Sequence, residues 1–323
     1  MMRFWVQNYD PAAGRADDDG DEPAGSARAE LDLTVETGSA PWAPVPPPPD
    51  LLPPDTVLLV DGVRRVDAWL WTEEPDGGTY PALAASYAAG VVRCRLRAGV
   101  AELARVAVAR GLFTASPTAT DVDCGQVRYV VQPVKVTEPA KLLTAVQNPL
   151  TTLEVQLAGE ARAGATDPGD LLVVDGPLQG RTDLPRAIGY IKTHRQQYLP
   201  APQQAVVTTL AAGQRSPVFR LTTSWQRYTW YLRLPGGTGA PWSGLVRAEC
   251  PGSLPLDTVV ALADLSTVTL PRFAATAYKD PRAPQNLVPI GGLEQRLRAR
   301  LGDARFLHRV LARRAGRAPL ATG

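Results

Sequence analysis

Histidine is nearly missing from this chain: His194 and His308 are its only two, and they fall on different predicted elements. Hydrolysis by an imidazole base beside a serine or cysteine therefore has almost no material to work with. No serine lies in a Gly-x-Ser-x-Gly elbow. No Gly-x-x-x-x-Gly-Lys-Ser/Thr loop is present either, so ATP hydrolysis by the chain itself is not expected. Cysteine is sparse: Cys94, Cys124 and Cys250 are odd in number and widely spaced. That suits a reducing compartment, rules out a Cys-rich zinc site and leaves all three as small core residues. Long apolar runs are also lacking, since Thr56 to Val60 and Leu171 to Val174 are only strand-sized. The N-terminus reaches Gln7, Asn8 and Asp10 without the apolar stretch of a secretory signal, so no membrane association and a cytoplasmic location are expected.

What the chain does have is 45% apolar residues, enough for a substantial core, and a net charge of only +2. Any surface for nucleic acid must then come from local clustering. Charge is indeed uneven. Acid gathers at Asp17, Asp18, Asp19, Asp21 and Glu22, while arginines crowd the stretch from Arg282 to Arg317.

Two regions are expected. Residues 1–55 read as an acidic and Pro-rich N-terminal segment that is partly loop. Within it Glu30 to Val35 is a short strand, and Pro44 to Pro54 is a rigid extended lead-in, because proline cannot join a central ladder. Residues 56–323 form the folded body. Thr56 to Asp61 reads as a buried strand, with Val63 to Thr72 as a second strand paired to it. Further strands are predicted at Pro81 to Arg95, Gln126 to Val136, Leu171 to Asp175, Ala187 to Lys192, Val218 to Thr222, Arg227 to Leu234 and Gly244 to Cys250. Helices are predicted at Ala101 to Leu112, Pro139 to Ala163, Leu256 to Thr276, and as one or two pieces over Pro289 to Arg314. Strands followed by mixed strands and helices argue an α/β or α+β domain around one mixed sheet.

The clearest chemical signal is a pair of matching strand endings, Leu58-Leu59-Val60-Asp61-Gly62 and Leu172-Val173-Val174-Asp175-Gly176. Each places a carboxylate where a buried strand stops, next to a glycine that leaves room for a ligand. Two such carboxylates side by side suit a hard divalent cation. Each Asp-Gly alone reads equally as an ordinary turn. Arg64, Arg65 and Lys192 lie close by in sequence and could meet phosphate oxygens, or could be plain surface charge. Glu154 and Glu160 on the preceding helix are candidate further ligands, although solvent-facing glutamates are common on such helices. The stretch Tyr278 to Leu287 crowds Lys279, Asp280, Arg282, Gln285 and Asn286 around two prolines that fix its backbone, which suits a rigid polar loop at a site as well as a capped linker. Trp225, Tyr228, Trp230 and Tyr231 with Arg227 and Arg233 could stack on unpaired bases, or could be core on one face of a strand.

Four pieces occur in a fixed order: Val60-Asp61-Gly62-Val63-Arg64-Arg65, Val174-Asp175-Gly176-Pro177-Leu178, Gly189-Tyr190-Ile191-Lys192, and Lys279 through Leu287. In these the chain resembles the NurA nucleases, especially their actinobacterial-type members, over most of Thr56 to Arg314. The resemblance implies an α/β fold with an RNase H-like core, a mixed central β-sheet flanked by helices, plus the irregular N-terminal segment. It implies Asp61 and Asp175 as metal ligands for Mn2+ or Mg2+ in a two-ion site, with Glu154 as the glutamate of the preceding helix. The family's last ligand is typically a histidine on a C-terminal helix, and that has no match here. Asp280 and Glu294 are offered in its place. The catalytic set so implied is Asp61, Glu154, Asp175 and Lys192, with Arg64, Arg65, Lys192, Arg282, Gln285 and Asn286 on DNA.

By the same resemblance the chain would be a homodimeric, nucleoid-associated nuclease working on linear DNA ends, single or double stranded, with a HerA-type hexameric ATPase. Its reaction would be 5′-to-3′ degradation and nicking of single strands during double-strand break repair. The alternative is a catalytically inactive adaptor of the same fold that docks on DNA or on a translocase.

Overall fold

The computed structural model describes residues 3–6 by backbone alone, and residues 29–163, 169–192, 197–237 and 240–315 in full. The acidic run from Asp17 to Glu22 and His194 fall outside the described residues. In chain order the elements are β1 (Arg3–Val6), β2 (Glu30–Asp32), β3 (Thr56–Glu73), β4 (Thr79–Arg95), β5 (Val100–Thr114), β6 (Val122–Asp123) and β7 (Arg128–Pro133). Then follow α1 (Pro139–Ala145), α2 (Gln147–Ala163), β8 (Leu171–Asp175), β9 (Ala187–Ile191), α3 (Ala201–Thr209), β10 (Phe219–Thr222), β11 (Gln226–Arg233) and β12 (Leu245–Pro251). The chain ends in α4 (Leu256–Thr269), a 3-10 turn (Leu270–Phe273), α5 (Val288–Arg300) and α6 (Ala304–Ala315).

The described strands join one mixed sheet in the order β2-β10-β11-β12-β9-β8-β3-β4-β5-β7-β6, with β1 paired to β3. Its centre is β5-β4-β3-β8-β9. There β3, β4 and β5 are antiparallel neighbours, while β8 runs parallel to β3 and β9 parallel to β8. With α2 crossing over between the antiparallel trio and the parallel pair, this is the RNase H-like core, flanked by helices on both faces. Leu58 and Val60 of β3 face Leu150 and Leu157 of α2. Leu59 and Val63 face the opposite layer, with Leu293 and Leu297 of α5 and Val259 of α4. Each of these side chains is essentially fully buried, and each contributes on the order of 1.5–3 kcal/mol.

Several expectations are corrected. Asp61-Gly62 is no turn: β3 is one strand of 18 residues that runs through it, and only its register against β4 shifts, between Val66 and Ala68. The reason lies in β4, where Ala82, Ala84, Ala85, Ala88, Ala89 and Gly90 let the ladder continue unbroken past Gly62. An Asp-Gly pair reverses the chain only where nothing holds it extended. The reversal comes instead at Glu74, whose N–H bonds the carbonyl of Gly78 at 2.7 Å. Ala101 to Leu112 is not a helix but lies within β5, since its alanines suit either state and pairing along β4 decides. The predicted helix from Leu256 ends at Thr269 and gives way to the 3-10 turn at Pro271.

Part of the N-terminal segment is built into the sheet. β2 pairs with β10, Val45 bridges Arg215, and the fully buried Arg215 guanidinium holds Glu36 at 2.7 Å and Asp264 at 2.8 Å. No described helix is long and apolar enough to cross a membrane. Cys94 and Cys250 are buried, and all three cysteines are free.

Candidate active site

The parallel ladder between β3 and β8 runs in the register Val57 with Leu171 to Val60 with Val174. Asp61 and Asp175 are therefore the next residues on neighbouring strands, just past the last paired position. Asp61 shares a face with Leu59, two residues back, and Asp175 with Val173, so both carboxylates lie on the face covered by α4 and α5. β8 stops at Asp175 because Gly176 turns away with φ +96°, whereas β3 continues. The pair thus sits at an internal edge of the sheet.

Asp61 is 8% exposed, and its Oδ1 accepts the Gly62 N–H at 2.7 Å. Asp175 Oδ2 accepts from Lys192 Nζ at 2.7 Å. Its Oδ1 is buried and has no hydrogen-bond partner among the described residues. Burial pushes Asp61 well above the usual carboxylate range, and the charge of Asp175 adds to that while Lys192 opposes it. Burial also raises Asp175, against the pull of Lys192. At Lys192 burial works against the ammonium, but the two aspartates outweigh it and raise its pKa. The arrangement is two buried carboxylates sharing one cation.

The loop before α5 closes the site. Lys192 Nζ also donates to Asn286 Oδ1 at 3.4 Å, and the Asn286 amide bonds Asp280. Arg282 spans Asp280 at 3.5 Å and Glu294 at 2.8 Å, and Glu294 in turn holds Arg298 at 2.8 Å. The Tyr190 hydroxyl donates to the Gln285 carbonyl, fixing the loop to β9. Lys192, Arg282, Gln285 and Asn286 are therefore brought to the aspartates.

Other predicted residues are placed elsewhere. Glu154 lies on the opposite face of the sheet, beneath Gly62, in a buried ion pair with Arg181, whose Nε donates to it at 2.7 Å. Arg64 bonds Gln147 on that same face. Arg65 points the other way and is held by Asp67 at 2.9 Å and by the Leu301 and Gly302 carbonyls. Glu160 is exposed and 3.8 Å from Arg105. The aromatic strand is core: Trp230 is fully buried with its N–H on Ser266, Tyr231 stacks on Phe219, and the buried Arg227 pairs with Glu249 at 3.1 Å. It offers little for bases to stack on.

Two structural residues went unnoticed in the sequence. Arg181 neutralises Glu154, and Glu249, 71 residues downstream, accepts the Leu178 N–H at 2.9 Å and so pins the turn after Asp175. Neither carries a local signal.

The donor set of this site fits a hard divalent cation. It is made of carboxylate oxygens, one of which is buried and lacks a hydrogen-bond partner among the described residues. Mg2+-like ions are commonly held by one or two carboxylates, with waters and substrate phosphates completing the shell. Asp61 and Asp175 would hold such an ion. Among the described residues no group of three His, Cys, Asp or Glu side chains converges on one point, so Glu154, Asp280 and Glu294 do not join the aspartates in a single cluster.

Fold and site together define an α/β protein with a carboxylate pair beside a lysine at the edge of its central sheet. The chain is similar to the crystal structure of the NurA nuclease from Sulfolobus solfataricus, with 10% identity and a TM-score of 0.46, over 80% of this chain and 84% of that one. No protein-family model matches it. No curated protein matches it either.

Proposed function

We propose that the chain is a metal-dependent deoxyribonuclease that hydrolyses phosphodiester bonds at the Asp61–Asp175 pair. The observation that carries this is the juxtaposition of the two buried aspartates with Lys192, and the unpartnered Asp175 Oδ1 among them. Bound Mn2+ or Mg2+ would supply charge neutralisation and an activated water. The chain's own residues do the rest. Asp61 and Asp175 anchor the cation, Lys192 turns its ammonium from Asp175 toward a phosphate oxygen, and Arg282 adds positive charge at the rim. Gln285 and Asn286 shape the floor of the phosphate site. Asp280 or Glu294, released from Arg282, would complete the shell of a second ion, while Glu154 stays paired with Arg181 on the other face of the sheet.

The sequence resemblance to NurA nucleases supports the finer reading: a homodimer acting on linear DNA ends from the 5′ side, nicking single strands, partnered by a HerA-type hexameric ATPase in double-strand break processing at the nucleoid. A second reading, the inactive adaptor, is favoured by the buried Glu154–Arg181 pair, which occupies the expected third carboxylate.

Degradation of end-labelled linear DNA by the full chain with Mn2+, Mg2+ or EDTA separates the two. Metal-dependent cutting that is lost in Asp61→Ala and Asp175→Ala supports the nuclease. No cutting by the wild type, even with its motor added, supports the adaptor.

A further inference from the structure

The arginines of the last two helices are not spread at random. On α5, Arg296 and Arg300 are exposed at i, i+4, opposite the buried Ile290, Leu293 and Leu297. On α6, Arg305, Arg309 and Arg313 are exposed at i, i+4, i+8, opposite the buried Leu307 and Leu311. Exposed arginines on the described strands are neutralised: Arg95, Arg105 and Arg128 each hold a carboxylate. The five helical arginines hold none among the described residues. The nearby acids are already engaged, Glu294 by Arg282 and Arg298, and Asp303 Oδ1 by the Phe306 N–H at 2.6 Å.

Like charges at i, i+4 destabilise a helix, so an isolated solvated face would be better served by interleaved acids. An anionic polymer reverses the sign of that effect. The stripe is also continuous with the site. α5 begins beside Asn286 and Lys192, and its 13 residues run roughly 20 Å over β3, β4 and β5 before the chain turns into α6.

We propose that the α5–α6 surface binds the sugar-phosphate backbone of a DNA duplex whose reacting phosphate lies at Asp61 and Asp175. This rests on the nuclease reading for the position of the reacting phosphate, but not for the binding itself. Arginine suits the task because its planar fork grips phosphate oxygens in pairs without reading sequence.

The test is fluorescence anisotropy of a labelled duplex oligonucleotide with the full chain in EDTA, repeated across salt concentrations. Each phosphate contact adds about 0.9 to the slope of log affinity against log salt. The triple variant Arg305→Gln/Arg309→Gln/Arg313→Gln is expected to make that slope shallower by about 2 to 3. Its Lys counterpart should keep the slope, which excludes misfolding as the cause, and Arg97→Gln, an exposed arginine away from these helices, should bind like the wild type. An unchanged slope in the Gln variant overturns the proposal, as does a wild type that does not bind duplex DNA. Loss of slope in a chain that never cuts would uphold this surface while sinking the nuclease.

Discussion

Glu154 and Arg181 meet in the interior directly beneath Gly62, with Asp61 on the other side of the same strand. Both side chains are almost fully buried, so each compensates the other's loss of hydration. Arg181→Met should lower unfolding stability by about 3–5 kcal/mol, because it takes the arginine away from a buried carboxylate. The double variant with Glu154→Gln should recover most of that loss. Chemical denaturation of the two singles and the double measures the coupling, and strictly additive losses would show that the pair is not an interacting unit.

Gly62 faces the same pair with no room to spare. A Cβ there would lie 2.7 Å from Leu150 Cδ1 and would press on the Glu154 carboxylate. Gly62→Ala is expected to lower stability by about 1–3 kcal/mol through overpacking. A thermal melt unchanged within error would mean that α2 can shift freely away from the sheet.

Glu294 sets a pH dependence. Burial raises its pKa, but the hydrogen bonds from Arg282 and Arg298 outweigh burial and hold it below its ordinary 4.5. A carboxylate depressed in the folded state contributes stability above its unfolded pKa and loses it as pH falls through the folded value. The melting temperature should therefore decline below about pH 4.5, and Glu294→Gln should be lower at neutral pH with a flatter acid limb. Parallel acid limbs for the two proteins would contradict this.

Lys192 supplies the positive charge between two buried carboxylates. Lys192→Met should destabilise the protein at neutral pH by about 2–3 kcal/mol, less than a fully buried pair because the amine is partly exposed. Added Mg2+ should restore more stability to this variant than it adds to the wild type, since it replaces the lost charge. Differential scanning fluorimetry with and without Mg2+ reads both effects, and equal shifts in the two proteins would argue against a cation at this position.

Much of this site is local in sequence, and that part was legible. The apolar runs ending in Asp61 and Asp175 dictate buried strands, and their matching ends anticipate the juxtaposition, although the chain passes straight through Asp61. The polar loop from Lys279 to Asn286 announces itself by composition. What could not be read is what depends on distant partners. Whether Ala101 to Leu112 is helix or strand is decided by β4, and whether Glu154 is free is decided by Arg181, 27 residues on. The arginines beside Asp61 looked alike in sequence, yet a strand sends Arg64 and Arg65 to opposite faces, each with its own internal bonds.

Electron paramagnetic resonance of Mn2+ shows, without requiring turnover, whether the unpartnered Asp175 carboxylate oxygen and Asp61 together seat a divalent cation. Saturable Mn2+ binding by the full chain is expected, competed by Mg2+ and weakened at least about tenfold, or about 1.4 kcal/mol, in both Asp61→Asn and Asp175→Asn. Equal Mn2+ affinity in the wild type and in both variants would contradict it.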